Sequence, residues 1–218
     1  MNDDILWNLK KSLQDYDREG CADWARKSVQ EEVDPLQALN ALTEVMQEIG
    51  DGFSRGDFFL PDLIGAATAM EAAMPVLNDE IIRKGIKKKS FGHILIGTVF
   101  GDIHSIGKTM VSTLLTAGGF TVSDLGINVE TENFIAAVKE YKPDVLAMSA
   151  LLTTTAREQK VVIEALKREG LRKKVKVMVG GGAISEQFAK SIGADGYAPT
   201  APLGVRLAKS LTEAVRRD

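Results

Sequence analysis

"HILIGTVFGDIHSIGKT" (93–109) joins a run of apolar residues to a glycine-bounded loop that ends in Gly-Lys-Thr. Residues 93–99 read as a buried strand, short and apolar almost without interruption. The loop then leads into a helical stretch at 105–118. The same texture repeats downstream: "TVSDLG" (121–126), "DVLAMSA" (144–150), "VKVMVGG" (175–181) and "DGYA" (195–198) read as strands. Helical stretches at 130–141, 154–170, 185–193 and 202–216 follow them in turn. This alternation predicts a five-stranded parallel sheet covered on both faces, an α/β flavodoxin-like (Rossmann-like) domain. Ligands of such sheets bind beyond the carboxyl ends of the strands. Three loops, 101–107, 149–155 and 180–182, are therefore expected to open on one edge.

Upstream of this domain the pattern is helical. Apolar residues recur at steps of three and four, as in Ile5, Leu9 and Leu13, then Leu36, Leu39, Leu42, Val45, Met46 and Ile49. Breaks at Glu19-Gly20, Asp34-Pro35 and 57–61 divide the region into about four helices, with Asp34 as an N-cap before Pro35. A small helical bundle buries those stripes. The expected organisation is a helical cap domain at 1–85, a linker at 86–90 within the basic stretch "RKGIKKKS" (83–90), and the α/β domain at 91–218.

The 218 residues carry 27 basic and 30 acidic side chains, mixed along the chain, for a net charge of −3. No concentrated basic field points to nucleic acid or anionic lipid. No basic segment followed by an apolar run opens the chain, and no stretch reads as membrane-spanning, so a cytoplasmic location is expected. Cys21 is the only cysteine, and His93 and His104 are the only histidines. Too few soft ligands remain for an ordinary zinc site, and a metal held through histidine must bring other ligands with it.

The loop "GDIHSIGKT" (101–109) invites comparison with a phosphate cradle. A Walker A loop places four residues between its glycines, whereas Gly101 and Gly107 enclose five. Asp102 and His104 would also set a negative charge and a bulky ring where phosphate oxygens belong. Read alone, His104 is a polar residue at a helix start, with Asp102 favoured near the helix N-terminus. The D-x-H spacing at a ligand edge offers a second reading. A carboxylate can accept a hydrogen bond from one imidazole nitrogen and leave the other free as a metal ligand. Such a histidine suits a metal already held in a macrocycle. Read singly, the segments 149–155 and 180–182 are a hydroxyl-capped turn and a tight turn.

Taken together, "GDIHSIGK", "SALLTTT" and "VMVGGGA" at successive strand ends resemble the signature of cobalamin-binding domains that hold the cofactor base-off. "VMQEIGDGFSRGDFFLPDLIGAATAMEAAMPVL" (45–77) is similar to the helical cap of methionine synthase and of small corrinoid proteins in methyltransferase systems. The resemblance spans nearly the whole chain. It implies that His104 is the lower axial cobalt ligand, Asp102 its hydrogen-bond partner and Thr155 the continuation of the relay, the three residues of the catalytic machinery. Gly101, Ile103, Ser105, Ile106 and Gly107 complete the cofactor-binding loop. Ser149, Leu151 and Thr153 would line the slot for the displaced benzimidazole. Gly180 and Gly181 would leave room for the nucleotide tail, Tyr197 would be a further cofactor-binding residue, and Phe53 and Leu60 in the cap would cover the upper face of the corrin. Two positions depart from the pattern: Ser105 replaces a second acid, and Phe100 replaces a polar residue.

The resemblance implies cobalamin, cycling between methylcobalamin and cob(I)alamin, as cofactor. It further implies a corrinoid methyl carrier between a substrate-specific methyltransferase and a corrinoid:acceptor methyltransferase acting on tetrahydrofolate or a thiol, with a reductive activation protein as a third partner. The alternative is a B12-dependent sensor, whose caps tend to carry tryptophan near the upper axial face; Trp7 and Trp24 lie outside the matched cap segment.

Overall fold

A computed structural model describes residues 2–85 and 90–215, and the chain divides into two units, Met1–Lys89 and Ser90–Asp218. The linker expected at 86–90 lies, apart from Ser90, outside the described residues.

The first unit contains α1 (Asn2–Gln14), α2 (Arg18–Gln30), α3 (Pro35–Arg55) and α4 (Leu60–Arg83). Its core follows the helical periodicity: Ile5, Leu9 and Leu13 of α1, Leu42, Val45 and Met46 of α3, and Leu63, Met70 and Leu77 of α4 are all buried. Each fully buried aliphatic side chain of this kind contributes about 1.5–3 kcal/mol. Asp34 caps α3 by accepting from Leu36 N at 2.9 Å, with Pro35 in the first helical position.

One expectation needs correction here. The break expected at Glu19-Gly20 falls instead at residues 15–17, because Asp17 is the N-cap of α2 and accepts from Gly20 N at 2.9 Å. That cap draws Glu19 and Gly20 into the first turn. In addition, the 24 residues of α4 include an 18-residue window of mean hydropathy 1.2, so by length and composition the helix could cross a bilayer. One face of it, with Leu63, Ala66, Ala69, Met70, Ala73 and Met74, is buried inside the bundle, whereas Leu60, Ile64 and Ile82 are exposed. Cys21 is buried on α2, Trp24 is half-buried on the same helix, and Trp7 on α1 is exposed.

The second unit is a parallel sheet of β1 (His93–Thr98), β2 (Thr121–Asp124), β3 (Val145–Ser149), β4 (Lys176–Gly180) and β5 (Gly196–Tyr197), in the order β2-β1-β3-β4-β5. Between and after the strands run α5 (Ile106–Ala117), α6 (Thr131–Tyr141), α7 (Thr153–Arg168), α8 (Glu186–Ile192) and α9 (Ala201–Val215). Strand side chains alternate between two cores. Leu95, Leu146, Met148, Val177 and Val179 join Phe134, Ile163 and Leu166 on one face. Ile94, Ile96, Val145, Ala147 and Met178 join Leu115, Ala208 and Leu211 on the other. Both faces are therefore covered, which explains why the strands read as unbroken apolar runs. The sheet is of the flavodoxin-like type, and its order reverses between β1 and β3, where a crevice forms at the carboxyl ends.

His93 behaves as a structural residue. Its Nε2 lies 2.9 Å from Ser123 Oγ, its ring meets Tyr141 edge-on, and its backbone N–H donates to Asp144 at 2.7 Å.

Candidate cofactor site

At the carboxyl end of β1 the chain turns through Gly101, whose φ of +76° lies in the left-handed region that glycine adopts without strain. The turn delivers Asp102 into the crevice between β1 and β3. Its side chain is completely buried, and its two oxygens accept four hydrogen bonds. Oδ1 receives His104 N at 3.0 Å and His104 Nδ1 at 2.8 Å. Oδ2 receives Leu151 N at 2.8 Å and Thr155 Oγ1 at 2.7 Å. Burial alone would raise the carboxyl pKa, but the donors from Thr155, the His104 and Leu151 backbones and the His104 ring outweigh it and hold the group well below the ordinary carboxylate range. A negative charge thus sits beside the imidazole at neutral pH.

That charge fixes the ring. A carboxylate only accepts, so Nδ1 carries the proton and Nε2 is the nitrogen left for an outside partner. The His104 side chain is 47% exposed, against 0% for Asp102. Around it the surface is apolar: Phe100, Ile103, Ile106, Leu151 and Leu152 are all exposed. The Thr98 side chain holds the same loop, its Oγ1 donating to His104 O at 3.1 Å. Ser105 is the residue before α5, and its side chain makes no capping bond. Ile106 and Gly107 begin that helix, and nothing would lie within 4 Å of a Cβ at Gly107.

The structure brings the other strand ends beside this loop. Ser149 pairs with Thr98 of β1 on one side and Gly180 of β4 on the other. Beyond them, Gly181 has φ +124°, and a Cβ there would stand 1.9 Å from Ala150 O. The two segments meet backbone to backbone. Thr153 starts α7 and is exposed, and Thr155 in the same turn is buried where it reaches Asp102. Tyr197 pairs with Val179 and is half-buried on β5. Phe53, half-buried on α3, and Leu60, exposed at the start of α4, belong to the helical unit, as do the exposed Phe59 and Ile64 near them.

Three features of the site escaped the sequence reading. The Leu151 N–H donates to Asp102, a backbone role with no side-chain signature. Asn128, at φ +52°, accepts from Gly101 N at 2.7 Å through Oδ1 and donates its own N–H to Asp102 O at 2.9 Å. Lys108, expected only to begin a helix, is buried and paired with Asp124 at the end of β2. The "LGIN" turn (125–128) after β2 was the available signal, since asparagine tolerates the left-handed region and bonds neighbouring backbone.

Among the described residues no group of three or more His, Cys, Asp or Glu side chains is placed to hold a bare metal ion. A group that carries its metal in a macrocycle needs one ligand, a wide apolar face and room beside the strand ends. His104 with its exposed apolar surround, the open position at Gly107 and the glycine-lined end of β4 fit a corrinoid in those respects.

Comparison with known proteins agrees with that fit. Residues 92–205 match a family described as a B12 binding domain, and residues 6–78 match a second family of the same description. The chain is 46% identical over 181 residues to a dimethylamine corrinoid protein of Methanosarcina barkeri, covering 83% of this chain and 84% of that one. It is 40% identical over 200 residues to trimethylamine corrinoid protein 1 of Methanosarcina acetivorans, covering 91% and 93%. Among solved structures, the methanol:cobalamin methyltransferase complex of Methanosarcina barkeri superposes with a TM-score of 0.83 at 28% identity, over 97% of this chain and 80% of that one.

Proposed function

The chain belongs to the B12-binding corrinoid proteins of methyltransferase systems, and from that premise we propose that it carries methyl groups on a cobalamin bound base-off, with His104 as the lower axial ligand. The observation that carries the finer reading is the buried Asp102 carboxylate beneath an exposed imidazole. Cobalamin, when bound, supplies a cobalt centre able to accept and release a methyl group. Everything else is the work of the protein.

Asp102 keeps the proton of His104 on Nδ1 and so presents the Nε2 lone pair to the metal. Thr155 Oγ1 and the Leu151 N–H hold Oδ2, which keeps the carboxylate charged and its plane fixed. The loop residues Gly101, Ile103, Ser105, Ile106 and Gly107 would hold the ring system, Ser149, Leu151 and Thr153 would line the slot for the displaced base, Gly180 and Gly181 would leave room for the tail, and Tyr197 would be a further cofactor contact. A substrate-specific methyltransferase loads the carrier, a second methyltransferase unloads it to tetrahydrofolate or a thiol, and a reductive activation protein restores it after oxidation. Similarity to methylamine corrinoid proteins and to the methanol:cobalamin methyltransferase complex supports methyltransferase partnership at the level of the class.

Reconstitution of the full chain with hydroxocobalamin tests this reading. Wild type is expected to retain the pigment through gel filtration, and His104→Ala to change its visible spectrum. Superimposable spectra would remove His104 as the ligand. Failure of wild type to retain pigment would remove the whole assignment.

A further inference from the structure

The loop carrying His104 is gripped from outside the D-x-H sequence. Asn128 makes two hydrogen bonds to consecutive residues of that loop, accepting from Gly101 N at 2.7 Å and donating to Asp102 O at 2.9 Å. Both bonds fall directly on the left-handed turn that aims Asp102 inward. Asn128 is itself held: Val129 N donates to Thr98 O at 3.0 Å, and Thr98 N donates to Gly126 O at 3.0 Å. Upstream, Asp124 accepts from Gly126 N at 2.8 Å through Oδ1, and its other oxygen pairs with Lys108, a lysine only 4% exposed on the first turns of α5. The segment 124–129 is thus anchored to β1 and α5 and reaches back over the turn.

We propose that Asn128 is a positioning residue for the axial histidine: with the Lys108–Asp124 pair anchoring its segment, it fixes the Gly101–Asp102 turn and thereby the height and orientation of the His104 ring. The proposal rests on His104 acting as a cobalt ligand. A ligand bond is short and directional, so a loop that wanders weakens it even when the cofactor stays bound. Two bonds to the backbone on either side of the bend remove that freedom, each worth a modest net free energy.

The test separates the side chain from the backbone conformation. Glycine adopts the φ of Asn128 freely but lacks the acceptor, whereas aspartate keeps an acceptor and tolerates the same region. Full-length protein grown on 15N-histidine is loaded with cobalamin and reduced to Co(II). The axial nitrogen then splits the EPR signal as a doublet if it comes from protein histidine, and as a triplet if it comes from natural-abundance benzimidazole. Unlabelled imidazole is added, and the concentration that converts half the doublet to triplet measures the strength of the His104 bond.

Asn128→Gly is expected to lower that concentration about 3- to 10-fold, the range of one net hydrogen bond. Asn128→Asp is expected to restore it to the wild-type value. Apo-protein unfolding of each variant is measured alongside. A loss of apo stability in Asn128→Gly with no change in half-displacement would overturn the positioning role and leave a structural one. A wild-type doublet that His104→Ala abolishes, combined with unchanged Asn128 variants, sinks this inference alone. Absence of a doublet in wild type sinks His104 ligation and this inference with it.

Discussion

Asp102 works as a fixed charge because four donors converge on it where its side chain is fully buried. Its folded pKa is depressed below the unfolded value near 4, so its stabilising contribution is complete above about pH 4 and fades as pH falls through that value toward the folded one. Asp102→Asn turns an amide N–H₂ toward two of the four donors. The apo variant is expected to lose about 2 kcal/mol at pH 7 in urea unfolding, with the gap to wild type closing progressively below about pH 4. A gap constant from pH 7 to pH 3 would show that the charge is not the source of the effect. The D-x-H spacing made this pair visible in sequence, because both partners sit within one loop. Asn128 was not visible: it lies 27 positions from the Gly101 N–H it binds, and its part depends on a backbone angle.

The elements that carry the site were legible wherever pattern and chemistry coincide. All five strands and the five helices of the α/β unit begin and end close to the expected positions, since the central strands β1, β3 and β4 are buried and apolar on both faces and glycines punctuate the chain. The boundary between α1 and α2 was misplaced because Gly20 looked like a terminator, whereas Asp17 three residues earlier captures its N–H. The meeting of the ends of β3 and β4 was legible only as a run of glycines, and its reason is geometric. At Gly181 the backbone is left-handed and faces Ala150 O so closely that a methyl group would collide with a carbonyl. Gly181→Ala is therefore expected to cost at least about 2 kcal/mol in urea unfolding, through strain and forced separation of the two strand ends. Gly107→Ala, where the same methyl group meets nothing, provides the comparison and should change stability by less than about 1 kcal/mol. Equal losses at the two positions would contradict the close approach.

At the scale of the molecule, chemistry is divided unequally between the two units. Every group of the Asp102 cluster lies in the α/β unit, while the only thiol lies in the helical one. Burial pushes the Cys21 thiol up to about 11, with a bond involving Ser12 opposing the shift and the Asp17 charge adding to it. At pH 8 the native protein is expected to leave a thiol reagent unreacted over minutes, and urea should release one equivalent as the helices open. Full reaction of the native chain on mixing would show that the bundle is not closed around α2. The change of texture near residue 90 is a matter of periodicity, which does not describe the surfaces of either unit. The two tryptophans, Trp7 and Trp24, also belong to the helical unit. Because a corrinoid absorbs where indole emits, loading the α/β unit makes the chain an energy donor and acceptor in one polypeptide. Its fluorescence lifetime then becomes a ruler for the distance between the units, readable during methyl transfer without attaching a dye.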